Sequence, residues 1–226
     1  MKTLILFSTV IIIAISLHSC SDDNVTNPAS NTINAKIENW YYGTDKKIVV
    51  YIIAFDSINN MRAIDTSQIS AEGNFEFDPV TPNSSELTAI NLYDTSCTNH
   101  TVVNPPETNW AMLHFRVMLG DTILGSVYRE SDTLTAHTGQ VSAYYYYFDK
   151  SGSIIGTDTC GISYNLINIT TCNINFTKGW NSIYVKYDEL SYNNYLVVVS
   201  TEVQPVHWYF HGSLYPERKG LLKKGN

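Results

Sequence analysis

Charge is scarce in this chain: Asp, Glu, Lys and Arg make up 15% of 226 residues, against about 25% in an average soluble protein. The 14 basic residues form no stripe through the body, and 21 acidic ones leave a net charge of −7. A nucleic-acid binder needs a basic footprint, so nucleic acid is not expected as a partner. An apolar run of about 20 residues, the length of a membrane-spanning helix, is also missing; the longest is Leu4 to Leu17. Ala and Leu, the best helix formers, are few, whereas 21 Ser, 22 Thr, 21 Asn and 16 Tyr are present. That composition suits strands joined by polar turns. The 44% of hydrophobic residues is enough to build a core and argues against wholesale disorder.

Motifs for catalysis and metal binding are equally lacking. There is no Gly-x-Ser-x-Gly elbow, His-Glu-x-x-His helix, phosphate-binding glycine loop, dinucleotide fingerprint or EF-hand loop. Cys97-Thr98-Asn99-His100 has the spacing of half a zinc site, with no second pair to complete the shell. His207 and His211 sit in a strand-like His-Trp-Tyr-Phe-His segment, where they face one way but stand about 13 Å apart, too far to share an ion. The expectation is a non-enzyme with neither metal nor dissociable cofactor. Scattered Ser, His and Asp can still converge in space, which keeps a hydrolase as the weaker alternative.

The N-terminus carries an address. One positive charge at Lys2, the apolar run Leu4 to Leu17 and then Leu17-His18-Ser19-Cys20 have the layout of a secretory signal peptide over residues 1–19. Leu17 and Ser19 before Cys20 resemble the lipobox of bacterial lipoproteins, with His18 in place of the commonest small residue. The resemblance implies that Cys20 is acylated and becomes the new N-terminus, a covalent lipid that makes the membrane a partner. Residues 20–32 follow as a flexible tether rich in Ser, Thr, Asn and Pro. Its Asp22-Asp23 pair resembles the export signal that sends some Gram-negative lipoproteins to the outer face of the outer membrane, which implies an outward-facing protein.

Beyond the tether the pattern is all-β, an antiparallel β-sandwich of one large or two small domains. Ile33, Ala35 and Ile37 alternate, and Lys47 to Phe55 is a continuous run suited to a strand buried on both faces. Phe75 and Phe77 follow Ala71-Glu72-Gly73-Asn74 as a hairpin signal. This first portion, 33–93, resembles the transthyretin-like or carboxypeptidase-regulatory sandwich in its Ile33 to Ile37 strand, its Ile64 to Ile69 stretch and its Glu72 to Phe77 segment. That likeness implies a fold and no catalytic residue. Residues 94–108 contain Pro105-Pro106 and read as a linker or crossing. The second portion, 109–212, shows hairpin signals at Gly120-Asp121 and at Asp149 to Gly152, and 213–226 is a basic tail.

With Cys20 lipidated, Cys97, Cys160 and Cys172 remain in an oxidising compartment. Cys160 and Cys172 bound neighbouring expected strands and are the favoured disulfide. Pairing of Cys97 with either one is the alternative. The functional hint is aromatic. Trp40, the run Tyr144, Tyr145, Tyr146 and Tyr147, and Trp208 lie in clusters whose side chains alternate between two faces. One face can enter the core, and the other offers rings to a glycan, a host ligand or an envelope protein partner. Cross-strand ring pairing without any ligand is the competing explanation.

Overall fold

The computed structural model describes residues 32–54, 61–90, 97–98, 100–133, 136–163, 166–191 and 194–212. The expected signal peptide, the lipidation site Cys20 with its tether up to residue 31, and the basic tail from 213 lie outside the described residues. In chain order the strands are β1 (Ile33–Lys36), β2 (Lys47–Ile53), β3 (Met61–Gln68), β4 (Asn74–Phe77), β5 (Thr88–Ala89), β6 (Cys97–Thr98), β7 (Val102–Asn104) and β8 (Asn109–Leu119). They continue as β9 (Thr122–Glu130), β10 (Val141–Phe148), β11 (Gly152–Ser163), β12 (Leu166–Phe176), β13 (Gly179–Leu190), β14 (Asn194–Ser200) and β15 (His207–Gly212). A three-residue 3-10 turn at Ser84–Glu86 is the one helical element among the described residues. The all-β expectation therefore holds, with strands arranged as a two-stranded sheet and one large sheet.

The two-stranded sheet is β1 with β4. The large sheet runs β3-β2-β8-β9-β10-β13-β14-β12-β11-β6, with β15 on β9, β5 on β8 and β7 on β11. Because β2 pairs with β8 from Lys47↔Met118 to Ile53↔Met112, strands from both expected portions share this sheet. Within the 94–108 segment, Cys97–Thr98 and Val102–Asn104 lie as short strands along β11. Among the described residues every strand pair is antiparallel except β12 with β14, which run parallel, and an isolated parallel bridge joins Ile37 to Trp208.

Local pattern explains the individual strands, and pairing departs from it in two places. β8 and β9 form the expected hairpin, with Leu119 opposite Thr122 across Gly120-Asp121. By contrast, β10 does not pair with β11 across Asp149 to Ser151. Its partners are β13, β9 and β8, while β11 pairs with β12. The turn after β3 also forms, but β4 then joins β1, with Ile33 opposite Phe77 and Ala35 opposite Phe75. Gly73 allows this change of direction. Its φ is +88°, and a Cβ there would come within 2.5 Å of the Ile37 carbonyl oxygen.

The main core lies between β1–β4 and one face of the large sheet. Ile37, Phe75 and Phe77 meet Ile48, Val50 and Ile52 of β2 and Leu113, Phe115 and Val117 of β8. Alternation puts those β2 and β8 residues on a single face, called here the first face, as expected for half-buried strands. β2 also buries Val49 and Ile53 on its opposite side, so it is covered on both faces. A second core occupies one end of the opposite, second face, where Phe148 and Ile183 pack with Ile154, Ile174 and Phe176. Phe148 stacks on Phe176 at a centroid distance of 4.0 Å.

Candidate functional site

The tyrosine run occupies β10, and its neighbours decide which way each ring faces. Tyr145 lies opposite Ser182 and Tyr147 opposite both Ala111 and Trp180, which puts Tyr145 and Tyr147 on the first face. Tyr147 is buried, and Tyr145 packs beside Phe77 and Trp208 at 6.0 and 6.2 Å between centroids. Trp40 is buried against Gly73, Tyr42 and Phe210, and its indole Nε1 donates to the Gly43 carbonyl. Trp208 is wedged among Phe75, Phe77 and Phe115. Of the six aromatic residues expected to offer rings to a ligand, Trp40 and Tyr147 are therefore core residues. Tyr145 and Trp208 are largely taken up by core packing.

Tyr144 and Tyr146 face the other way. Tyr146 stands opposite Met112, and Trp110 stacks on it at 5.0 Å with the planes 14° apart. Tyr144 is 6.3 Å from Tyr146. Both rings keep part of their surface exposed, although burial raises both hydroxyl pKa values, that of Tyr146 to about 12. Following the second face across β9 and β15 brings Ser126, Tyr128 and Glu130 beside His211 and Tyr209, since Ser126 pairs with His211 and Tyr128 with Tyr209. His211 Nε2 donates to Glu130 Oε2 at 2.7 Å, and Tyr128 lies edge-on to His211 and His114 at 5.4 and 6.3 Å. Each of these residues is partly exposed. The result is a continuous patch of rings bordered by hydrogen-bonding groups.

No family model, no curated protein and no solved structure matches this chain. Its chemistry has to be argued from the side chains themselves.

At the centre of the patch the sheet forks. β8 pairs with β9 as far as Phe115 and Val127, then with β10 from Met112 and Tyr146, while β9 meets β10 only at Glu130 and Arg129. The gap between the three strands holds a cavity of about 40 Å³ lined by Leu113, His114, Tyr128, Arg129, Tyr144 and Tyr145, among others. That space suits a water molecule or a small polar group. His114 borders it from the second face, with Ser126 Oγ at 3.3 Å from its Nε2. Burial is the larger cause, and the Arg116 charge the smaller, of a lowered His114 pKa.

The sign of that shift sets a pH dependence. A histidine with a depressed folded pKa binds fewer protons folded than unfolded, so stability rises with pH through this group's range. The His114 contribution is complete above the unfolded value of about 6.5 and is lost as pH falls from there through the folded value. Urea unfolding between pH 5 and 8 is expected to show this slope, and His114→Gln is expected to flatten it. An unchanged slope would mean that other groups carry it.

The disulfide is Cys97–Cys160, with Cα atoms 4.0 Å apart, and not the favoured Cys160–Cys172 pair. The reason is strand length. β11 continues past Cys160 to Ser163 and β12 starts at Leu166, so both cysteines fall within the strands. Cys160 is opposite Asn168 and Cys172 opposite Gly156, an offset of four residues or about 13 Å. Cys97 on β6 sits directly across from Cys160 instead. Cys172 is a free thiol whose pKa burial, and then Asp158, raise to about 11. The disulfide takes Cys97 out of the possible metal pair with His100. His207 and His211 also part company: His207 faces Glu38 at 3.7 Å while His211 holds Glu130.

Sequence reasoning missed Trp110, His114, Ser126, Tyr128, Arg129 and Glu130 as site residues. They lie on two strands, β8 and β9, whose alternation was visible, but only the cross-strand register places Trp110, His114, Ser126, Tyr128 and Glu130 on the second face with the tyrosines, and Arg129 on the first face beside the cavity.

Proposed function

We propose that this chain is an outward-facing outer-membrane lipoprotein, anchored through Cys20, whose β-body is a non-catalytic binding module for a glycan or other host ligand. The lipobox-like Leu17 to Cys20 segment and Asp22-Asp23 support the anchoring and its direction. A Cys97–Cys160 bridge suits an oxidising compartment outside the cytoplasm. The observation that carries the binding reading is the row Trp110, Tyr146 and Tyr144, partly exposed on the second face and flanked by Tyr128, His114 and the Glu130–His211 pair. Flat rings beside hydrogen-bonding groups are what a sugar ring requires: an apolar face to stack on and polar partners for its hydroxyls.

The test is retardation of the full chain, in mild detergent, in native gels containing a panel of polysaccharides. The Tyr144→Ala/Tyr146→Ala variant is expected to weaken retardation about tenfold or more. Tyr145→Ala/Tyr147→Ala is expected to act through stability, detected as a lowered melting temperature. Retardation that survives loss of Tyr144 and Tyr146 would remove the second face from the binding reading.

A second reading, an accessory protein docked onto an envelope assembly or outer-membrane transporter, is favoured by the apolar cross-strand pair Val102 and Ile155. They are 63% and 50% exposed on the β7–β11 edge. A hydrolase is favoured only by the contact between Ser126 and His114. Among the described residues no carboxylate pairs with His114 to orient it, so this site lacks the third member of a triad.

A further inference from the structure

On the first face, on the other side of the sheet from the ring patch, Arg129 lies opposite Trp208 and Ala143. Its guanidinium carbon is 4.5 Å from the centroid of Tyr145, 5.7 Å from that of Trp208 and 5.8 Å from that of Tyr184. Nη1 donates to Ser182 Oγ at 3.2 Å. Among the described residues no carboxylate lies within ion-pair distance of Arg129, although Arg62 has Glu86 as its partner. A guanidinium carries five N–H donors in one plane. Ser182 accepts from one of these donors. Arg129 remains partly exposed.

We infer that Arg129 is a recognition site for a carboxylate, so that the protein takes an acidic ligand at this position in addition to anything bound on the second face. Four features favour a carboxylate. The planar fork matches its two oxygens in a bidentate pair. Tyr145, Trp208 and Tyr184 hold the guanidinium in place before a ligand arrives, which lowers the ordering cost of binding. The rings also shield part of the charge from water, which strengthens its attraction for an anion. Ser182 restrains one arm of the fork and so helps to set its orientation.

The inference does not depend on the glycan reading, and its test is separable from that one. The full chain in mild detergent is titrated calorimetrically with sodium glucuronate, with glucose, and with sodium chloride at matched ionic strength. Binding is expected for glucuronate and absent for the other two. Arg129→Lys keeps the charge and the stem but loses the fork, and is expected to bind glucuronate about tenfold more weakly. Ser182→Ala is expected to weaken binding less than Arg129→Lys does. Melting curves establish that each variant is folded. No heat from glucuronate, an equal response to glucose or chloride, or full affinity in Arg129→Lys would each overturn the assignment.

Discussion

Phe77→Ala is expected to lower the unfolding free energy by about 3–5 kcal/mol, the range for removing a fully buried aromatic side chain. Phe77 is 1% exposed and stands where the two sheets meet. Its ring makes edge contacts with Phe115 at 5.0 Å, Tyr145 at 6.0 Å and Trp208 at 6.2 Å, and stacks near Phe75 at 6.2 Å. Truncation removes its own burial and leaves a cavity that four rings on two different sheets cannot easily close. β4 is only four residues long and pairs with β1 alone, so this small layer is held on the large sheet by side-chain packing together with a few links such as the Glu38 N–H donating to the Trp208 carbonyl at 2.8 Å. Urea unfolding is the measurement. A fall in midpoint with an unchanged slope on denaturant indicates lost stability rather than a changed denatured state. A cost below about 1 kcal/mol, the typical value for an arbitrary point mutation, would show that the layer is not packed through this residue.

Loss of the Cys97–Cys160 bridge is expected to cost a similar amount. The two cysteines are 63 residues apart in sequence, and the chain-entropy relation for a loop of that length gives about 4 kcal/mol. The loop spans β7 to β10, so the reduced chain regains freedom over the centre of the large sheet. Cys97→Ser/Cys160→Ser and a reducing agent on the unaltered protein should produce the same loss of stability. Cys172→Ser should have little effect, because that thiol has no disulfide partner. The Cys172→Ser variant should lose as much stability on reduction as the unaltered protein, and a smaller loss would place Cys172 in the bridge. If reduction changed nothing, the 97–104 segment would be held by its hydrogen bonds alone. Those include Asp158 Oδ1, which accepts from the backbone N–H groups of His100 and Thr101 at 2.7 and 2.9 Å.

These residues show how far the sequence can be read. The run Lys47 to Phe55 announced a strand covered on both sides, and β2 lies between β3 and β8 with Val49 and Ile53 buried as well as Ile48, Val50 and Ile52. Gly120-Asp121 announced a hairpin, and β8–β9 is one. Both signals are local, set by side-chain alternation and turn chemistry within about ten residues. Asp149 to Gly152 carried a similar signal, yet β10 turned to β13, more than thirty residues away in the chain. Nothing within the tyrosine run distinguishes Tyr144 and Tyr146 from Tyr145 and Tyr147. The side-chain period of a strand is two, so a one-residue shift would exchange their faces.

The sequence by itself determined that this is an all-β protein with little helix, because composition and alternation act through local backbone preference and burial. It also determined where most strands and turns lie. Only the tertiary structure decided which strands are neighbours and in what register. That choice put Phe77 and Trp208 into one aromatic core and turned Tyr144 and Tyr146 toward Trp110 and His114. It also left Arg129 among three rings with no carboxylate partner among the described residues and set Cys97 across from Cys160. The physical reason is that a strand's hydrogen-bonding groups fit any other strand. Its partner is selected by packing the whole set of side chains at once, and that set is distributed over the entire chain.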